Sequence, residues 1–318
     1  MAGQGNRIWA TRIVIGLAVL GVLGFAANRT WKRFTQTPIE TMVDPNSAIV
    51  VTTNGSGADA KQEDAPENSV VVEQHPLAPV LSMAREALQR HRKEHTGYTA
   101  IMLKTERIDG KLSSQATMNL KLRYLPPNEG SELRNVAVYL DFLGPPKQKG
   151  REVIYYHGKN DNMLLAHEGG FFGIITVPLA PNSRIAMIGN RYPITEVGLE
   201  KLLVRLIEKG ERDSRLGDCV VNRCSGEMIA DRRCELIEVI HNEKTVTIGG
   251  KTIPHEFHIA RIWFDESIML PIKYASYSWP TKDGEEPLLE EEYQYNDLVL
   301  NPDLTDIDFD TENPKYRY

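Results

Sequence analysis

The sequence predicts an α+β domain in which one large antiparallel sheet is partly covered by two main helices. Three observations predict it. Two segments carry apolar residues at three- and four-residue spacing, many short segments alternate apolar and polar side chains, and the strand-like segments come in runs set apart by the helices. One-sided alternation makes one sheet face apolar, and that face needs a cover. Two helices are few for so many strands, so an incomplete cover leaves a groove or cavity.

The first helix reads from Pro79 to His95, with Val80, Leu81, Ala84, Leu88 and His91 on one stripe and Gly97 as the stop. Thr99–Glu106 follows as a strand, and Asp109-Gly110 as a turn. In Thr117–Tyr124, residues Met118, Leu120, Leu122 and Tyr124 share one face and Asn119, Lys121 and Arg123 the other. Asn135–Leu143 aligns Val136, Val138, Leu140 and Phe142, and Pro145-Pro146 ends it. Glu152–His157 and Asn162–His167 flank a hairpin signal, Gly158-Lys159-Asn160-Asp161. The second helix reads from Thr195 to Lys209, with Val197, Leu199, Leu202, Leu203, Leu206 and Ile207 apolar and Gly210 as its C-terminal stop. Further strands are expected at Cys219–Cys224, Cys234–His241, Phe257–Phe264, Ile272–Trp279, Leu288–Tyr295 and Thr305–Phe309, with turns at Asp265-Glu266-Ser267 and Asp283-Gly284.

Ahead of this domain the chain changes character. Ile13–Ala27 is a run of 15 uncharged, mostly apolar residues with Arg7 and Arg12 before it and Arg29, Lys32 and Arg33 after it. Extended back to Ile8 it reaches the roughly 20 residues that span a bilayer. Residues 1–34 therefore read as an N-terminal transmembrane or signal-anchor helix, with a secretory signal cleaved after Ala26 as the alternative. Residues 35–76 read as a flexible linker, since Thr52–Asn68 has almost no large apolar residue. A flexible chain of that length has an r.m.s. span on the order of 35 Å. The folded domain is expected over 77–312, followed by a C-terminal tail, 313–318.

The 318 residues carry a formal net charge of −6, unevenly placed. Residues 1–33 hold five basic residues and no acid, whereas 283–312 hold twelve acids and no base. A basic excess confined to one end does not make a nucleic-acid-binding surface, so no nucleic-acid partner is expected.

The layout resembles the LolA/LolB-like group of periplasmic lipoprotein carriers. The resemblance runs through the helix ending near His95, the Tyr98–Glu106 strand, Val138-Tyr139-Leu140-Asp141-Phe142 with Pro145-Pro146, Ile154-Tyr155-Tyr156-His157-Gly158, and Thr305-Asp306-Ile307-Asp308-Phe309 with Pro314. It is closest to a bacterial family of unknown function placed near that group. The resemblance implies a curved, half-closed sheet (a half-barrel) wrapped around helices, an apolar cavity for acyl chains, and a place in the bacterial cell envelope. The domain would then be anchored to the membrane on the periplasmic side, or secreted there if the segment is cleaved. The chain departs from those carriers in its anchor and tether, and no Cys near the N-terminal run offers an acylation site.

Motifs that carry chemistry are sparse. Gly249-Gly250-Lys251-Thr252 resembles the end of a P-loop, but Thr245 stands where its first glycine belongs, so a glycine hairpin is the reading. His255 and His258 are three apart, which on a strand places them on opposite faces; His241 could join one of them at a metal, yet no metal site is expected. Asp306, Asp308, Asp310 and Glu312 lack the glycine and closing glutamate of a calcium loop and read as the solvated face of a strand whose Ile307 and Phe309 point inward. Glu290-Glu291-Glu292 reads as a polar strand edge. Cys224 and Cys234 lie symmetrically about Ile229, so a hairpin would set them opposite each other as a disulfide in an oxidising compartment.

No catalytic residues and no cofactor are expected. The leading reading is a membrane-tethered envelope protein that binds a lipid, a lipoprotein or another apolar ligand, with Ile101, Leu103, Met118, Leu120, Leu122, Val138, Leu140 and Phe142 lining the cavity. The alternative is a non-catalytic interaction or scaffold module with a filled core and an acidic docking surface at 283–312, its protein partner unknown. A third reading is a hydrolase with a dispersed site using Cys234 or His157.

Overall fold

The computed structural model describes residues 74–169, 175–217, 219–282 and 284–318. The 1–34 anchor and nearly all of the 35–76 linker lie outside the described residues. Among the described residues, no helix is long and apolar enough to cross a membrane.

Helix α1 (Ala78–Glu94) starts with proline in its first turn, where a missing N–H costs no hydrogen bond, and ends with His91, Arg92 and Lys93 at the negative end of its dipole. It buries Val80, Leu81, Ala84, Ala87 and His91. There follow strands β1 (Gly97–Ile108), β2 (Lys111–Leu112), β3 (Ala116–Leu125), β4 (Asn135–Gly144), β5 (Glu152–Tyr156), β6 (Leu164–His167) and β7 (Thr176–Leu179). Helix α2 (Leu199–Leu216) separates them from β8 (Val220–Ile229), β9 (Arg232–Ile240), β10 (Thr245–Ile248), β11 (Lys251–Pro254), β12 (Ile259–Asp265), β13 (Pro271–Ser278) and β14 (Leu288–Leu300).

Twelve strands form one open sheet in the order β7-β6-β5-β4-β3-β1-β14-β13-β12-β9-β8, with β2 on β1; β10 and β11 form a separate two-stranded arm. The pairings are antiparallel throughout. The α+β class with two helices on an antiparallel sheet therefore holds, and the sheet does not close into a barrel. Alternation decides the faces. In β3, Ala116, Met118, Leu120 and Leu122 are buried while Asn119 is exposed and Lys121 half-buried.

The helices run antiparallel. Leu81 and Arg85 of α1 meet Gly210 and Glu211 near the end of α2, whereas Arg92 meets Glu200 at its start. Gly210 was expected to stop this helix but lies inside it, and the helix ends before Gly217. The reason is tertiary: a Cβ at Gly210 would stand 2.8 Å from Leu81 Cδ2, so the glycine lets the helices touch.

The closing stretch also departs from the expected strand. Asp306–Phe309 is a 3₁₀ turn whose start is held by a capping box, with Thr305 and Asp308 satisfying each other's backbone N–H groups. Ile307 is exposed, Phe309 is buried, and the acids turn toward the sheet: Asp308 Oδ1 accepts from Lys121 Nζ at 2.6 Å, and Asp306 pairs with Arg123 and Lys159. Residues 313–318, expected as a tail, pack on the sheet face away from the helices. There the Tyr316 ring stacks on Tyr139 at 3.9 Å, and the Tyr318 hydroxyl donates to the Leu165 carbonyl. With Ala137, Ile154 and Phe309 they make a second, smaller core.

Candidate functional site

The helix pair is fastened to the sheet by tyrosines. Tyr98 of β1 and Tyr124 of β3 accept hydrogen bonds from the Leu199 and Glu200 amides, so sheet hydroxyls cap the start of α2 in place of a side chain of its own. Gly198 precedes them at φ 126°, with Leu122 Cδ1 2.9 Å from where a Cβ would stand. Glu200, 1% exposed, receives Arg92 Nε at 2.9 Å and Arg134 Nε at 2.6 Å. Arg134 also donates to the His95 carbonyl at the end of α1 and lies over the Tyr124 ring, 3.7 Å from its centre. His91 contacts the Tyr124 hydroxyl at 2.7 Å and His95 Nδ1 at 2.9 Å. Burial, the neighbouring His95 and the Arg134 cation hold the His91 pKa down to about 3.

Between this pair and the sheet lies an apolar cavity of about 40 Å³. Leu77, just before α1, and Val80, Leu81 and Ala84 on it line one side; Leu206, Lys209, Gly210 and Asp213 line it from α2; and Val239, Phe257, Ala260, Ile262, Phe264 and Tyr274 from below. None of the eight residues expected at a cavity lines it. Met118, Leu120, Leu122, Val138 and Leu140 are packed in the main core, with Phe142 half-buried against it. Ile101 and Leu103 are on the other face, a correction forced by register: Ile101 pairs with Asn119 and Leu103 with Thr117, while Met102 pairs with Met118. Alternation fixes which residues share a face, but where packing leaves room depends on how the helices cross the sheet.

At the C-terminal end of α2, Asp213 approaches two histidines. Its Oδ2 is 3.3 Å from His241 Nε2 just past β9, and the His241 ring stacks on that of His255 with centres 4.0 Å apart. His255 is carried just past β11, on the arm whose Gly249-Gly250 turn confirms the glycine hairpin. Burial and His241 lower the His255 pKa. His258 is elsewhere: its Nδ1 meets the His241 carbonyl at 2.8 Å and its ring stacks on Trp279. The sequence showed the histidines but not Asp213, which only the fold brings to them.

Glu291 is buried rather than at a polar edge; it takes hydrogen bonds from Ser276 and Tyr293, and Tyr293 also donates to the buried Glu106 at 2.5 Å. Lys104 pairs with Glu106, and Arg191 with Glu291, so the charges are balanced. Glu290 pairs with Arg107 and Arg191, and Glu292 with Lys273; with the Asp306 and Asp308 pairs above, several acids of the 283–312 region are thus engaged by basic residues of the same domain. Cys224 and Cys234 are free thiols. The turn falls at Ala230-Asp231 and a bulge lies at Ser225/Glu227, so Cys224 faces Leu236 and Cys234 faces Glu227, and the expected disulfide does not form. Burial and the nearby Asp265 push the Cys234 thiol up to about 11, which keeps it from being a thiolate nucleophile. His157 Nε2 meets Asn128 at the surface.

A family model described as a protein of unknown function, DUF1571, matches residues 95–318. The chain belongs to this family. Comparison with curated proteins gives no match. Solved structures that match include a DUF1329 family protein from Desulfovibrio piger, at 12% identity over 75% of this chain and 98% of that one, TM-score 0.35. A LolA superfamily protein from Nitrosomonas europaea matches at 14% identity over 71% of this chain and 97% of that one, TM-score 0.27. The lipoprotein LppX from Mycobacterium tuberculosis matches at 11% identity over 72% of this chain and 98% of that one, TM-score 0.35.

Proposed function

We propose that this DUF1571 family member is a non-catalytic binding protein for an apolar or amphipathic ligand such as a lipid, held at the bacterial envelope by its N-terminal segment. The observation that carries the reading is the apolar cavity under the antiparallel helix pair. Apolar contacts are non-directional, so such a site needs no catalytic constellation. At about 40 Å³ the cavity is far below the roughly 300 Å³ at which ligand pockets begin, so the reading requires the helices to part from β12 and β13 when a ligand binds. The ordinary alternative, a packed core with a small void, is separated by experiment. A fluorescent fatty acid titrated into the full chain should bind saturably, and Ala260→Leu, which fills the cavity floor, should weaken uptake by about tenfold or more. No uptake, or uptake indifferent to Ala260→Leu, contradicts the reading.

A further inference from the structure

We propose that Asp213, His241 and His255 bind one divalent transition-metal cation of the zinc class and thereby clasp the end of α2 to the β10–β11 arm. One carboxylate oxygen and one nitrogen from each imidazole lie within 4.8 Å of one another. Two imidazoles and a carboxylate are a donor set suited to zinc, with a fourth position left to water.

Two observations mark the cluster as a site. The first is spacing. Bonds of about 2.0–2.1 Å in a tetrahedron put neighbouring donors roughly 3.3 Å apart. Asp213 Oδ2 and His241 Nε2 are 3.3 Å apart without the geometry of a hydrogen bond. The second is an unmet need. His241 is 1% exposed, yet neither of its ring nitrogens has a hydrogen-bond partner among the described residues, and the buried Nδ1 of His255 has none either. Buried polar atoms are almost always partnered, so orphaned nitrogens on two imidazoles beside a buried carboxylate call for a ligand, which takes one nitrogen from each ring.

Neutral imidazoles are the form that a metal binds. Coordination requires the stacked rings to open so that both lone pairs converge, a movement of roughly 1.5 Å for the third donor. His255 can make it, being half-buried and carried by a two-stranded arm outside the main sheet. Asp213 also lines the apolar cavity, so a bound ion would fix α2 at that end. Neither the proposal nor its test depends on the ligand-binding reading.

The test uses the full chain with Cys224→Ser, which removes the exposed thiol as a competing zinc ligand, after treatment with a chelator. Calorimetric titration with Zn²⁺ is expected to show one equivalent bound at on the order of micromolar affinity or tighter. Co²⁺ should give the visible absorption of a tetrahedral site. His255→Gln and Asp213→Asn should each weaken binding on the order of 100-fold, while His258→Gln leaves it unchanged. His255→Gln alters a half-buried position, so circular dichroism should report an intact fold when binding is lost. Absence of saturable binding below about 100 μM, or one equivalent that survives His255→Gln, overturns the proposal.

Discussion

Glu200 shows how much one side chain can hold. It sits in the first turn of α2, where a negative charge suits the helix dipole, and it receives guanidinium groups from α1 and from the chain before β4. Glu200→Ala leaves Arg92 and Arg134 facing each other without their shared anion, and the expected loss is about 3 kcal/mol in urea unfolding. His91 makes a pH-dependent contribution in the same junction. Its folded-state pKa is about 3 against an ordinary imidazole value of 6.5, so the unfolded chain takes up the proton first as pH falls. Stability from this group is complete above about pH 6.5 and is lost progressively toward pH 3. Between pH 7 and pH 5 the unfolding free energy should fall by about 2 kcal/mol from His91 alone, and His91→Gln should flatten that part of the profile. A profile unchanged by His91→Gln would show that other groups set it.

Among the elements, the contact of α1 with α2 depends on what is missing at Gly210. Alanine there gains helix propensity of about 1 kcal/mol but pushes on Leu81, so Gly210→Ala should be near neutral. Gly210→Val adds branching against the same side chain and should cost about 2 kcal/mol, seen as a lower thermal midpoint. The same glycine explains where sequence reading fails. A glycine after an amphipathic run is the usual sign of a helix end, and only the position of Leu81 shows that this one is a contact surface. The strands were legible because period two is a local property: the faces of β3 and β4 follow directly from the order of their residues. Thr305–Phe309 also has period two, but the Thr305 and Asp308 capping pair, readable in the sequence, outweighs it and turns the backbone. The Cys224 and Cys234 pairing fails because the turn falls at Ala230-Asp231 rather than around Ile229, which already sets Cys234 opposite Glu227.

At the scale of the whole molecule, the two sheet faces have different covers. One carries the helix pair and the cavity; the other carries the closing segment, fastened by Tyr316 on Tyr139 and by Arg317 to Asp141 and Glu152. The residues of β3 and β4 expected to line a cavity are packed in or against the core, and the space lies farther along the sheet over β9, β12 and β13. No local pattern could show this, because it depends on the line along which two helices cross many strands. The acidic 283–312 region is similarly clear as composition but not as a surface, since its partners, such as Lys121, Arg123 and Lys273, are distant in sequence.

The claim that the helix pair covers a ligand site is tested most directly by photo-crosslinking the full chain with a diazirine-bearing fatty acid and mapping the adducts by peptide mass spectrometry. The account predicts adducts on the peptides carrying Val80–Ala84 and Ala260–Phe264, suppressed by excess unlabelled fatty acid. Absence of competable adducts, or adducts confined to the opposite face around Ile101 and Leu103, would contradict it.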